Sequence, residues 1–301
     1  MVRVVVAVVA GCVVFAVLLG GCVAALGESG GTSSAISGPA GSHQDGPAVP
    51  AGWEVLDQNA AATCPGLPWS VLAAIGRVES DSGQSTAPGV ASGANYAGAE
   101  GPMQFEPATF AEFGVVGPGG ANPPSPYDPV DAIYSAAKLL CADGGAEPAT
   151  LFAAIGDYNH SVEYVEIVVV LAQALSSNPE MTADAATALA FAAAQLGVPY
   201  KWGGTGPGGF DCSGLVEAAY RAAGIDLPRV AQEQFDAGPP VSDGSEVQPG
   251  DLLFYGSSVR SVEHVGIYVG GGEMIDAPHT GTVVREEPGD LSDFVGATRP
   301  A

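Results

Sequence analysis

The sequence predicts a multi-domain protein in which a mainly α-helical domain precedes an α+β domain built on an antiparallel sheet. Two observations point there. Apolar residues recur at helical spacing from Trp53 to about Leu175, and a further helix runs to about Leu196. After Gly197 the pattern changes to one helix and a series of short β-type runs. Helices followed by strands, without βαβ alternation, favour separate α and α+β layers.

At the N-terminus, Val4 to Leu26 form an uncharged run of 23 residues preceded by Arg3. A cleaved secretion signal has an apolar stretch of about 7–15 residues, whereas a spanning helix needs about 20. Residues 1–27 therefore read first as an anchor in the cytoplasmic membrane. Leu19-Gly20-Gly21-Cys22 also resembles a bacterial lipoprotein cleavage box, which would put a lipid on Cys22. A cleaved signal is the third reading. All three export the rest of the chain to the outer face of the membrane or the cell wall. Residues 28–52, rich in Gly, Ser, Pro and Ala, read as a flexible linker.

Helices are expected at Trp69–Ser80, Pro107–Phe113, Pro129–Leu140, Leu151–Tyr158 and Val162–Leu175. Pro68, Pro107 and Pro129 suit helix starts, where no N–H is needed, and Gly83 suits a stop. Ser176 to Glu180 form a break, so the first domain is placed at 53–178, a linker at 179–184 and the second domain at 185–301. Thr182 suits the cap of a helix running to about Leu196, and another helix starts near Cys212. Strands are expected at Asp251–Tyr255, His264–Val269, Glu273–Asp276 and Thr282–Arg285.

The net charge of −24, with nine basic residues, leaves no basic face for nucleic acid. The four histidines are scattered and give no ligand cluster, so no metal or other cofactor is expected. Of the five cysteines, Cys12 and Cys22 lie in the N-terminal segment. Cys64 and Cys141 lie in the first domain and can pair, as export allows. Cys212 is left over.

Cys212 sits at the start of a helix whose inner face carries Leu215, Val216 and Ala219. A thiol there meets the positive end of the helix dipole, and the exposed N–H groups can receive an oxyanion. A small buried thiol is the commoner fate of a free cysteine, so a base is the deciding observation. The runs His264–Gly270 and Glu273–Asp276 flank a glycine cluster and read as a hairpin. With the turn centred on Gly270, His264 faces Asp276 on one side of the sheet, and His279 falls beyond the strand. A base with an acidic orienter is what a thiolate nucleophile needs.

Tyr200-Lys-Trp-Gly-Gly204, Phe210-Asp-Cys-Ser-Gly-Leu215, Leu227-Pro-Arg229, Gln248-Pro-Gly-Asp251 and His264-Val-Gly-Ile-Tyr268 occur in order. Together they resemble the NlpC-type papain-like cell-wall peptidases, over about residues 185–299. The resemblance implies a helix bearing Cys and an antiparallel sheet bearing His. It also implies hydrolysis of the γ-D-glutamyl bond to a diamino acid in peptidoglycan stem peptides. Cys212 then maps to the nucleophile, His264 to the base and Asp276 to the polar third position, where other members often have His. Tyr200, Asp211 and Ser213 map to the substrate-binding side, and Arg229 is left to a structural role.

In the first domain, Leu72, Ile75 and Glu79 share one helix face. A carboxyl on an apolar face near a helix C-terminus is expected to titrate high, as a general acid at neutral pH requires. The alternative is that Glu79 marks where the helix meets solvent. Glu79-Ser80, Gly101-Pro-Met-Gln-Phe105 and Tyr158-Asn159 resemble, in order, the three motifs of the soluble lytic transglycosylases, over about residues 53–175. That resemblance implies a lysozyme-like domain. One glutamate protonates the glycosidic oxygen and the sugar's own 6-hydroxyl attacks, so no second carboxylate is needed. Glu79 maps to the acid/base, and Ser80, Met103, Gln104, Tyr158 and Asn159 to the saccharide groove.

Three functions remain open. One is a bifunctional peptidoglycan hydrolase. Another is a peptidase whose helical domain only binds glycan. The third is a structural part of an envelope-crossing apparatus, against which the intact Cys212/His264/Asp276 set argues.

Overall fold

The computed structural model describes residues 49–242, 247–289 and 292–301. The expected anchor or signal, Cys22 and the linker up to residue 48 lie outside the described residues. Nine α-helices and five β-strands are found among those described. The first six helices are α1 (Ala51–Ala61), α2 (Trp69–Ser80), α3 (Pro107–Phe113), α4 (Pro129–Ala142), α5 (Leu151–Tyr158) and α6 (Val162–Ser177). Next come α7 (Ala183–Ala193), α8 (Cys212–Ala222) and α9 (Ala231–Ala237). The strands are β1 (Leu252–Ser258), β2 (Ser261–Gly270), β3 (Glu273–Asp276), β4 (Arg285–Pro288) and β5 (Phe294–Thr298). Among the described residues no helix is long and apolar enough to cross a membrane.

Helix starts follow local chemistry. Asp128 accepts from the N–H groups of Val130 and Asp131 ahead of α4, with Pro129 at its first position. Ser161 accepts from Tyr164 N–H ahead of α6, Thr182 from Ala185 N–H ahead of α7, and Asp211 from Gly214 N–H ahead of α8. Each such cap contributes about 1 kcal/mol. The end of α2 differs from expectation. The stop is Asp81, in the left-handed region at φ 54°, followed by Ser82 at φ 49°, and not Gly83. Asp tolerates that region because its short side chain bonds locally, here to Arg77 one turn back. Gly83 serves packing instead: a Cβ there would meet the Trp53 ring at 2.6 Å.

Cys64, after α1, is disulfide-bonded to Cys141 near the end of α4, with Cα atoms 5.9 Å apart. In the core, α6 packs against α2, α5, α7 and β2. Its Leu171 and Val168 are buried with Leu72 and Ile75 of α2 and Leu189 of α7.

The sheet has the order β4-β3-β2-β1-β5, with every pairing antiparallel. The β2–β3 register is displaced by two residues from the expected one. Ile267 pairs with Ile275 and Tyr268 with Met274, so the ladder sets Asp276 across from Gly266 rather than His264. Gly270, Gly271 and Gly272 all have positive φ and make the turn centre later than Gly270. The expected strand at 282–285 is also displaced, since β4 begins at Arg285. The preceding residues pair instead with the segment leading to α8, through Tyr200 N–H to Thr282 O at 2.9 Å and Val284 N–H to Val198 O at 2.8 Å.

All described residues belong to one compact unit. Residues 183 and 184 of the expected linker lie within α7, and Met181 and Ala183 are buried. Arg77 of α2 donates to Ala183 O and Thr187 Oγ1, each at 3.1 Å. Gln173 of α6 donates to Gly270 O at 3.1 Å and Glu286 Oε1 at 3.3 Å.

Candidate active sites

Cys212 is the first residue of α8 and a free, half-buried thiol. Its position is built by Asp211, whose Oδ1 accepts from Gly214 N–H and whose Oδ2 accepts from Gly203 N–H, both at 2.8 Å. Arg229 donates to Asp211 Oδ2 at 2.7 Å and to Ser213 Oγ at 3.0 Å. Asp211 and Ser213 are both buried, and these bonds engage them within the protein. Gln234 of α9, which sequence reasoning missed, donates to Ser213 O at 3.0 Å and Pro228 O at 2.8 Å. Tyr200 lies close enough to the thiol for burial and the charges of Cys212 and Asp211 to raise its hydroxyl above the usual range, with Arg229 opposing.

On β2, His264 Nε2 lies 2.6 Å from Asp276 Oδ2. The Cys212 thiol lies close enough to the ring to act on its charge. Burial pulls the imidazole down, but the bonds to Asp276 and Cys212 and their charges outweigh it and bring His264 up to about 10. Asp276 meets His264, as the sequence leads one to expect, but reaches it diagonally. A two-residue shift keeps a side chain on the same sheet face. Gly266 makes the diagonal possible, since a Cβ there would meet Met274 Sδ at 2.6 Å and Asp276 Cβ at 3.3 Å. Tyr255 of β1 flanks the imidazole, ring centres 5.9 Å apart. His279 is exposed in a turn, its Nδ1 3.1 Å from Thr280 O.

In the helical part, Glu79 is half-buried on α2. Burial raises its carboxyl to about 7, opposed by the neighbouring Tyr164. Sequence reasoning did not single out Tyr164, which reads as one more apolar position on α6. Ser80 is buried, donating to Pro102 O at 2.6 Å and accepting from Gly83 N–H at 2.8 Å, so it ties α2 to the 101–105 turn. Met103 is fully buried. Gln104 has a left-handed backbone, φ 48°, with its Oε1 accepting from Asn95 at 2.8 Å and its Nε2 donating to Gly101 O at 2.7 Å. Tyr158 donates to Met103 O at 2.7 Å, and its ring stands 6.0 Å from Phe105. Asn159 caps α5, and His160 lies 3.0 Å from Gly156 O. The three motifs thus converge around Glu79. Ser80 and Met103 act as framework there, and the polar atoms of Gln104 and Tyr158 are engaged within the protein. Asp81, Ser82 and Gln104, the non-glycine residues with positive φ among those described, all flank this site, where backbone strain commonly gathers.

A helix-borne thiol facing a sheet-borne His–Asp pair is the arrangement of a papain-like cysteine peptidase. Residues 197–292 match the NlpC/P60 family, and this C-terminal part of the chain is an NlpC/P60 domain. "Probable endopeptidase Rv2190c" of Mycobacterium tuberculosis is 48% identical over 98 residues, which is 33% of this chain and 24% of that protein. "Bifunctional muramidase/DL-endopeptidase CwlT" of Bacillus subtilis is 49% identical over 88 residues, 28% of this chain and 26% of that protein. "Murein DD-endopeptidase MepH" of Escherichia coli is 45% identical over 97 residues, 30% of this chain and 35% of that protein. The chain thus spans between a quarter and about a third of the length of these relatives.

Proposed function

We propose that this protein is a bifunctional peptidoglycan hydrolase acting outside the cytoplasmic membrane. The observation that carries the peptide-cutting half is the contiguous Cys212–His264–Asp276 set. The thiolate attacks the scissile carbonyl carbon, and N–H groups at the start of α8 face the developing oxyanion. The His264 imidazolium delivers its proton to the leaving amine. It then takes a proton from the water that opens the thioester. Asp276 holds the ring throughout. The γ-D-glutamyl bond to the diamino acid is the proposed target, supported by the motif resemblance and by the name of the B. subtilis relative.

The glycan-cutting half rests on Glu79, a carboxyl raised to about 7 by burial where the three motifs meet. At neutral pH a large fraction is protonated, as a general acid needs. Glu79 gives its proton to the glycosidic oxygen as the bond breaks. The resulting carboxylate accepts the proton of the sugar's 6-hydroxyl as that oxygen attacks, closing a 1,6-anhydro ring without water.

Mass spectrometry of digests of purified peptidoglycan tests both halves. Glu79→Gln is expected to abolish anhydro-muropeptides while stem-peptide cleavage continues, and Cys212→Ala to do the reverse. Anhydro products persisting at the parental rate in Glu79→Gln would place the acid elsewhere. Their absence from the parent's digest would reduce the helical part to a glycan-binding module.

A further inference from the structure

We propose that Arg77, outside the three motifs, is a positioning residue for Glu79, and that the peptidase half of the chain thereby completes the glycan-cutting site. This rests on the proposed glycan-cutting role of Glu79. Arg77 and Asp81 stand on either side of Glu79 in the last turn of α2, and their side chains are ion-paired across that turn through Nη1 and Oδ1. The other terminal nitrogen, Nη2, leaves the helical half. It donates to Ala183 O and Thr187 Oγ1 of α7, each at 3.1 Å. Thr187 Oγ1 itself donates to Ala183 O at 2.8 Å, so both acceptors are fixed on α7 before Arg77 reaches them. The side chains of Arg77 and Asp81 are only 10% and 16% exposed, so water screens this fork little. Burial lowers the guanidinium to about 10, opposed by the charge of Asp184 on α7, and it stays charged at neutral pH.

The end of α2 needs such a clamp. Helix ends fray, and Glu79 lies one residue from this one. The chain just beyond is left-handed at two non-glycine residues, Asp81 at φ 54° and Ser82 at φ 49°. That conformation persists only where the surroundings over-determine it. One side of the turn is fixed within the helical half, where Ser80 Oγ donates to Pro102 O at 2.6 Å and accepts from Gly83 N–H at 2.8 Å. The other side is fixed by Arg77, whose planar fork sets Asp81 and α7 in one geometry. Arg77 touches no sugar in this arrangement. It acts by holding the turn from which Glu79 must reach the glycosidic oxygen, and a general acid tolerates little displacement.

The test measures kcat and KM for formation of anhydro products from soluble glycan strands by the full chain, with stem-peptide cleavage followed in parallel. The variants are Arg77→Met, Arg77→Lys, Thr187→Val and Glu79→Gln. Arg77→Met keeps the apolar stem and removes the fork. It is expected to lower kcat by about 10- to 100-fold, the effect of a displacement of about 1 Å. KM should stay within about twofold of the parent, because the bonds that hold Gln104 and Tyr158 are untouched. Arg77→Lys, which can pair with Asp81 but cannot fork, recovers part of the loss. Thr187→Val lies in the peptidase half and leaves no charge unpaired. It lowers kcat in the same direction by a smaller factor, and with Arg77→Lys it carries the test if Arg77→Met does not fold. Stem-peptide cleavage and circular dichroism stay at the parental level throughout. An unchanged kcat in the folded Arg77 variants overturns the proposal, as does a rise in KM at constant kcat. An equal loss of both activities overturns it too, since that marks a residue that only supports the fold. A loss in Arg77→Met that Thr187→Val does not share overturns the part given to the peptidase half. Should Glu79→Gln retain parental activity, the glycan-cutting reading itself fails, an outcome distinct from all of these.

Discussion

At the residue scale, the His264–Asp276 bond decides how the peptidase site behaves with pH. His264 is raised to about 10 although burial alone would lower it, so its partners favour the imidazolium. A raised histidine contributes stability that is fully present below its unfolded value of about 6.5 and lost as pH rises through the folded value. Asp276→Ala is expected to let burial pull His264 down, moving the alkaline edge of peptide cleavage to lower pH. It is also expected to lower the rate by about 10- to 10⁴-fold, as loss of a triad's third member does. His279→Ala should leave the chemical step nearly intact, because that ring is exposed and turned toward Thr280 O. Cleavage rates of a defined stem peptide across pH check all of this independently of Glu79. A larger loss from His279→Ala than from Asp276→Ala would contradict the assignment. The residue types and their order were legible in the sequence. The diagonal contact was not, because it depends on a two-residue register shift and on the missing side chain of Gly266.

At the element scale, apolar periodicity and prolines made five helices legible: α2, α3 and α5 have the expected limits, while α4 and α6 run two residues further, and α1 was not expected. α9, no longer than α3, escaped because neither a proline nor a side-chain cap marks its start. It is held by tertiary contacts instead, with Phe235 against Phe254 of β1 at 5.2 Å between ring centres. β5 escaped because its five residues, interrupted by Gly296, resemble a loop until they pair with β1. The disulfide joins elements that are distant in sequence. Cys64 follows α1 and Cys141 lies near the end of α4, 77 positions apart. Closing a loop of that length is expected to add about 4 kcal/mol. Urea unfolding with and without reductant, or of a Cys64→Ser/Cys141→Ser variant, measures it. A change below about 1 kcal/mol would mean that the reduced chain keeps its loop closed by packing alone.

For the whole molecule, the two expected domains are joined by more than a linker. α6 packs against α2 on one side and against α7 and β2 on the other. Arg77 bonds across to α7, and Gln173 to the β2–β3 turn. A shared core and part-buried polar links make independent melting unfavourable. Calorimetry is expected to show one cooperative transition, with anhydro-muropeptide formation and stem-peptide cleavage lost at the same temperature. Two transitions separated by more than about 10 °C would show that the halves unfold separately.

The sequence by itself determined the order of an α part and an α+β part, the thiol at a helix start, the His and Asp on one hairpin, and a glutamate on an apolar helix face. These rest on local periodicity and capping, which operate within a few residues. Only the tertiary structure decided which atoms meet. It placed Asp211 and Ser213 in the framework beneath Cys212. It also joined α2 to α7. Those outcomes depend on how elements far apart in sequence pack, which is not encoded in spacing along the chain.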